Sequence, residues 1–118
     1  MTGRHLVGRN GEDAAERWYR SAGYQVLDRN WRVREGELDL VARRGTTVVF
    51  CEVKTRRGDA FGSPAEAVTA TKQRRIRGLA IQWLGSRRMQ AHQLRFDVAE
   101  VRPDGRGDWI VQVIEAAF

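Results

Sequence analysis

Apolar and polar positions along this chain switch between helical and strand spacing several times. Glu12, Ala15, Tyr19 and Ala22, with Trp18 adjoining, fall at i, i+3, i+7 and i+10, the stripe of one helical face. Asn10 offers a capping side chain and Gly23 a stop, so the pattern predicts a helix from about Gly11 to Ala22. Tyr24-Gln25-Val26-Leu27 opens a strand running to about Arg32, with Trp31 packing on the sheet. Glu37 to Arg44 and Thr46 to Thr55 alternate or run apolar and meet at Gly45-Thr46, where glycine at the first loop position suits a type II′ hairpin turn. From Arg56 to Thr69 the pattern dissolves around Gly58, Gly62, Ser63 and Pro64, which predicts a loop. Ile76, Leu79, Ala80, Trp83 and Leu84 then form a full apolar face, predicting a second helix from about Thr71 to Leu84 that Gly85 ends. Leu94 to Val101 and Trp109 to Ile114 predict two last strands, separated by the turn Pro103-Asp104-Gly105-Arg106-Gly107. The order αβββαββ implies an α/β domain, a mixed sheet flanked by helices.

Length narrows this to one domain over residues 1–118, since 118 residues at 42% hydrophobic content are enough for one core and too few for two. The longest apolar run, around Thr47 to Cys51, is far below the ~20 residues that span a bilayer. Met1 to Asn10 carries no apolar stretch of the secretory kind, so the expected location is the cytoplasm, away from any membrane. A lone cysteine, Cys51, excludes an internal disulfide and a multi-cysteine metal cluster; inside Val48-Val49-Phe50-Cys51 it reads as a small buried hydrophobe. A net charge of +6 favours a polyanionic partner such as nucleic acid, because the arginines are spread through the folded region and so belong to a surface. Of 21 basic residues only Lys54 and Lys72 are lysine, which asks for a reason: an ammonium is a compact point charge with an adjustable pKa, guanidinium a wide fork that stays charged.

The hairpin carries the candidate chemistry. If residues 45 and 46 are the two loop positions, Arg44 faces Thr47, and counting back along both strands sets Asp39 opposite Glu52 and Glu37 opposite Lys54. Period-two alternation places all four on one sheet face, and Leu38, Leu40, Cys51 and Val53 on the other. Opposed Cβ atoms lie about 4.5–5.5 Å apart. Two carboxylates that close repel unless a cation sits between them, and hard oxygen donors with no His or Cys nearby favour Mg²⁺ or Mn²⁺ over zinc. Lys54, two residues beyond Glu52, can orient or deprotonate an attacking water and offset charge developing on phosphorus. The same charges on an exposed face make an ordinary solvated hairpin, and a three-residue loop would move Asp39 off Glu52.

Gly36-Glu37-Leu38-Asp39-Leu40-Val41 followed by Phe50-Cys51-Glu52-Val53-Lys54-Thr55-Arg56 resembles the PD-(D/E)xK nuclease motif, with Leu38 where the motif has proline. Nearly the whole chain is similar to the bacterial YraN family, small predicted endonucleases related to archaeal Holliday junction resolvases. The resemblance includes Gly8-Arg9-Asn10-Gly11-Glu12, Ser63-Pro64-Ala65-Glu66-Ala67-Val68-Thr69 and Arg95-Phe96-Asp97-Val98. It implies a restriction-endonuclease-like fold, metal ligation by Asp39, Glu52 and Glu12, and a catalytic lysine at Lys54. Glu12 shares its helical face with Ala15 and Tyr19, though an anion in the first helical turn is also favourable in its own right. Lys72 and Arg75, three apart at the start of the second helix, can jointly contact a phosphate, with Arg74, Arg56 and Arg57 as further nucleic-acid contacts. Glu37 reads either as a group holding Lys54 or as a solvated partner. Asp97 matches a family position to which the sequence assigns no role.

The expected activity is therefore Mg²⁺- or Mn²⁺-dependent endonucleolytic hydrolysis of phosphodiesters in branched or structured DNA. Specificity would rest on backbone charge and shape, since no helix-turn-helix or zinc module is present. A homodimer is expected only if junctions are resolved, because that takes paired cuts. Two other readings stand beside it: a non-catalytic basic module that recruits nucleic acid to a partner enzyme, and a scaffold for an acidic protein.

Overall fold

The computed structural model describes residues 11–56 and 68–118. Its elements run α1 (Gly11–Ser21), β1 (Gln25–Val33), β2 (Gly36–Arg44), β3 (Thr47–Thr55), α2 (Ala70–Arg87), β4 (Gln93–Pro103) and β5 (Trp109–Ile114). The strands form one sheet in the order β1-β2-β3-β4-β5. Every pair is antiparallel except β3 with β4, and α2 lies in the crossover that a parallel pair requires. This is the predicted mixed α/β architecture in the predicted order.

Each face of the sheet is covered by one helix. Ala14, Ala15 and Tyr19 of α1 pack with Leu40, Ala42, Val49, Cys51, Ala99 and Val101. On the opposite face Ile76, Leu79, Ala80 and Trp83 of α2 pack with Val41, Val48, Phe50, Phe96 and Val98. Trp83 is fully buried, a core residue and not a stacking platform, and its indole N–H donates to Asp28 at 3.0 Å. No helix among the described residues is long and apolar enough to cross a membrane.

The β2–β3 turn follows the predicted chemistry. Gly45 has φ of 61° and Thr46 is not among the positive-φ residues, the combination a type II′ turn needs. Arg44 pairs with Thr47, as expected from a two-residue loop. The end of α2 departs from expectation: Gly85 does not stop it, and the helix runs on to Arg87. Arg88 instead takes the left-handed position at φ 51°, and the Met89 N–H closes on the Leu84 carbonyl at 3.0 Å. Leu84 and Met89 both pack against the α2-side core, so hydrophobic contact across the cap, not glycine's freedom, sets where the helix ends.

Asp97 has a structural role. It is fully buried, accepts the Tyr19 hydroxyl at 2.6 Å and the Ala116 N–H at 3.0 Å, and takes the Arg95 guanidinium on both oxygens at 2.9 Å. Arg95 also donates to the Tyr24 hydroxyl at 2.9 Å. One satisfied carboxylate thus ties α1, β4 and the chain end together, and such a network is worth its burial only when every member is paired. Burial and the Asp97 charge hold the Tyr19 phenol far above its ordinary pKa, so it stays a donor.

Candidate metal and phosphate site

The hairpin ladder holds as far as Leu40 opposite Cys51 and then stops. The next step of that register brings Asp39 to Glu52, but there the strands part, and Asp39 Oδ2 accepts the backbone N–H of Val53 at 2.9 Å. The ladder on the other side breaks at the same level. Asn30, between the Arg29–Leu40 and Trp31–Leu38 pairs, has φ of 52°, a conformation that takes a residue out of the pleat. Asp39 therefore lacks a ladder partner on both flanks.

That break corrects the facial assignment. Strict alternation puts Leu38 with Leu40 and Cys51; instead Leu38 joins Phe50 in the α2-side core, while Leu40 and Cys51 stay on the α1 side. Alternation presupposes an intact pleat, and it is lost between Leu38 and Leu40. Val53 packs against the α1-side core as expected. Glu37 does not face Lys54 either, because the two strands are no longer paired at that level. Its carboxylate takes Arg32 Nε at 3.2 Å across the β1–β2 ladder.

The carboxylates do converge. Burial, and after it the charge of Glu52, pushes the Asp39 carboxyl from its ordinary 3.8 up to about 7; a hydrogen bond with Glu52 and the charge of Glu12 act the same way, against the Val53 N–H. Glu12 is placed by a close approach of α1. A Cβ on Gly11 would lie 2.7 Å from Thr55 Oγ1 and 3.1 Å from Val101 Cβ, so only glycine lets the helix start against the ends of β3 and β4. Arg29 on β1 then gathers the acids along the start of α1, with Asp13 at 2.8 Å, Glu16 at 3.0 Å and Glu12 at 3.7 Å. Sequence reasoning missed Arg29, since nothing distinguishes it from its many sibling arginines.

Glu37, Asp39 and Glu52 line a pocket of about 200 Å³ whose opposite wall is Lys72, Arg75 and Leu79 of α2. Thr69 caps that helix, its hydroxyl accepting the Lys72 N–H at 3.2 Å, which fixes Lys72 in the first turn. The Lys72 ammonium is paired with Glu52 Oε2. Lys54 is half-buried beside Glu100 in the β3–β4 register and makes no hydrogen bond or ion pair among the described residues. Arg56 is largely buried against Glu100, 3.0 Å away. Arg74 is exposed and bonds Thr71 at 3.3 Å. Arg57 lies outside the described residues, as do Asn10 and the segment around Gly58, Gly62, Ser63 and Pro64.

Among the described residues no three His, Cys, Asp or Glu side chains are already set as a metal cage. A cage is not what Mg²⁺ needs: it is commonly held by one or two carboxylates, keeping waters and gaining substrate phosphate oxygens. A half-buried carboxyl whose ionisation is opposed by two neighbouring carboxylates is what a divalent cation relieves. The Asp39–Glu52 pair, with Glu12 near, thus fits the ion on donor chemistry.

The chain is 48% identical over 118 residues to a UPF0102 protein of Frankia casuarinae, covering 100% of both chains. It is 54% identical over 95 residues to one of Rhodococcus jostii, covering 80% of each, and 46% identical over 112 residues to one of Symbiobacterium thermophilum, covering 95% of each. The family model described as "Uncharacterised protein family UPF0102" matches residues 11–101, a span that contains α1, the hairpin, α2 and nearly all of β4. The chain belongs to the UPF0102 family.

Proposed function

We propose that this protein is a metal-dependent endonuclease of the PD-(D/E)xK kind, acting on branched or structured DNA. The observation that carries the reading is the meeting of Asp39 and Glu52 where the β2–β3 ladder opens, with the Asp39 carboxyl pushed up to about 7. Carboxylates set against each other inside a fold are unfavourable for stability alone and call for a cation. Opposite them stand Lys72 and Arg75, the charges a phosphodiester seeks.

Asp39 and Glu52 would hold Mg²⁺ or Mn²⁺, with Glu12 adding charge, and the ion would supply Lewis acidity at a phosphoryl oxygen and an acidified water. The chain's own groups do the rest. The Val53 N–H orients Asp39 from the backbone, so the ligand does not depend on a mobile side chain. Lys54, with no partner of its own among the described residues, is the ammonium available to orient the attacking water and offset charge on phosphorus. Arg75, exposed at the pocket wall, and Arg74 engage the phosphate backbone.

The test uses end-labelled four-way junctions, flaps, single strands and duplexes, each with Mg²⁺, Mn²⁺ or EDTA. Cleavage that needs the metal and disappears in Asp39→Ala and Lys54→Ala is the expected result. If no substrate is cut while both variants and the parent bind DNA equally, the alternative of a non-catalytic recruiting module holds. The pairing of Glu52 with Lys72 is the observation that speaks for that alternative.

A further inference from the structure

Resting on that reading, we infer that Lys72 is an internal counter-cation that holds Glu52 until a divalent ion displaces it, after which its ammonium turns to the DNA phosphate. Three observations converge. The Lys72 ammonium pairs with Glu52, one of the two carboxylates expected to take the ion. Glu52 is deep in the pocket at 10% side-chain exposure, whereas Lys72 reaches it from the rim at 34%, so the lysine can withdraw toward solvent without unpacking the core. Arg75, one helical turn on, lines the same pocket and marks the direction in which a phosphate would lie.

The choice of residue supports this. With 21 basic residues and only two lysines, the chain uses an ammonium here although arginine is its habit. Guanidinium would grip Glu52 through a two-pronged fork, while an ammonium on a flexible stem makes a pairing that is easily exchanged. The consequence is coupling between ion and DNA. Without DNA, an ion must compete with Lys72, and its apparent affinity falls by the fraction of time Glu52 is free. With a phosphate at hand Lys72 has a second partner, and the site binds the ion more readily.

The experiment measures Mn²⁺ binding by electron paramagnetic resonance, without DNA, for the parent protein, Lys72→Met and Glu52→Gln. If Lys72 holds Glu52 nine-tenths of the time, Lys72→Met binds Mn²⁺ roughly tenfold more tightly. Equal or weaker binding by Lys72→Met, with Glu52→Gln losing the ion, overturns the displacement idea and leaves the metal site standing. Binding by Lys72→Met alone supports displacement, and a parent that then still takes no Mn²⁺ once junction DNA is added loses the metal-enzyme reading. Binding by neither overturns both. Because two lysines give only two side-chain ¹³Cε signals, Mg²⁺ titration of the labelled parent provides a readout that needs no folded variant. The Lys72 signal shifts as the site fills, and a Lys72 signal that stays fixed at saturation overturns the inference.

Discussion

Asp39→Asn separates the cost of the site from its use. Asn keeps the shape, and its carbonyl oxygen can accept the Val53 N–H that Asp39 accepts at 2.9 Å, while the charge facing Glu52 disappears. Well below 3.8 the Asp39 carboxyl is protonated in both folded and unfolded chains and costs nothing. Between 3.8 and about 7 the unfolded chain releases the proton and the folded one keeps it, so stability falls as pH rises through that window and levels off above it. At 1.36 kcal/mol per pH unit, the ceiling is about 4 kcal/mol. Lys72, which neutralises Glu52, and solvent in the pocket reduce it, and about 2 kcal/mol is the expected remainder. For a domain of this size that is roughly 8 °C in melting temperature. Calorimetry in EDTA should therefore show Asp39→Asn melting above the parent at pH 8, with the gap closing as the pH falls below 3.8. Mn²⁺ should raise the parent's melting temperature and leave that of Asp39→Asn unchanged. A variant that melts at or below the parent at pH 8 in EDTA would refute the electrostatic account of this pocket.

Four further outcomes are expected. Lys54→Ala should lower cleavage by about 10²–10⁴-fold with DNA affinity little changed, checked by single-turnover kinetics beside a binding titration. Asp97→Ala takes from Arg95, 14% exposed, the carboxylate it grips with two nitrogens and from the buried Tyr19 its hydroxyl's acceptor, and urea unfolding should show a loss of about 3–5 kcal/mol. Gly11→Ala, usually worth up to about 1 kcal/mol of gain within a helix, should instead destabilise by about 1–3 kcal/mol because its methyl group meets Thr55 and Val101, and cleavage should fall with it as Glu12 is displaced. Thr69→Ala removes the cap of α2 at a cost of about 1 kcal/mol, measurable by the same unfolding series.

Much of this was legible because local rules sufficed. Gly45 supplies the positive φ that a two-residue turn demands, and turn length alone then sets the register that brings Asp39 to the level of Glu52. The apolar face of α2 was readable from spacing because Ile76, Leu79, Ala80 and Trp83 have only the sheet to cover. What was not legible depends on distant parts of the chain. That Asn30 stands in the left-handed region beside Asp39, and that a β-bulge shifts the β1–β2 register between Val26 and Asp28, has no pattern in periodicity, so strict alternation misplaced Leu38 and opposed Glu37 to Lys54. Lys72 was read as a phosphate contact because its helix position was clear, while its pairing with Glu52 joins β3 to α2 by packing that no spacing encodes. Asp97 offered a motif without a role until Tyr19, Arg95 and Ala116 were seen around it.

The early stop of the hairpin ladder has a mechanical consequence. Past Leu40 and Cys51 the two strands resemble a zipper halted midway, each prong fastened to its outer neighbour: β2 to β1 as far as Gly36, and β3 to β4 as far as Thr55. Asp39 stands on one prong and Glu52 on the other. The spacing between these carboxylates is thus governed by how wide the fork stands, and the Asp39–Val53 hydrogen bond is the clasp across it. Whatever grips both prongs from inside therefore acts on the middle of the sheet and not on its rim.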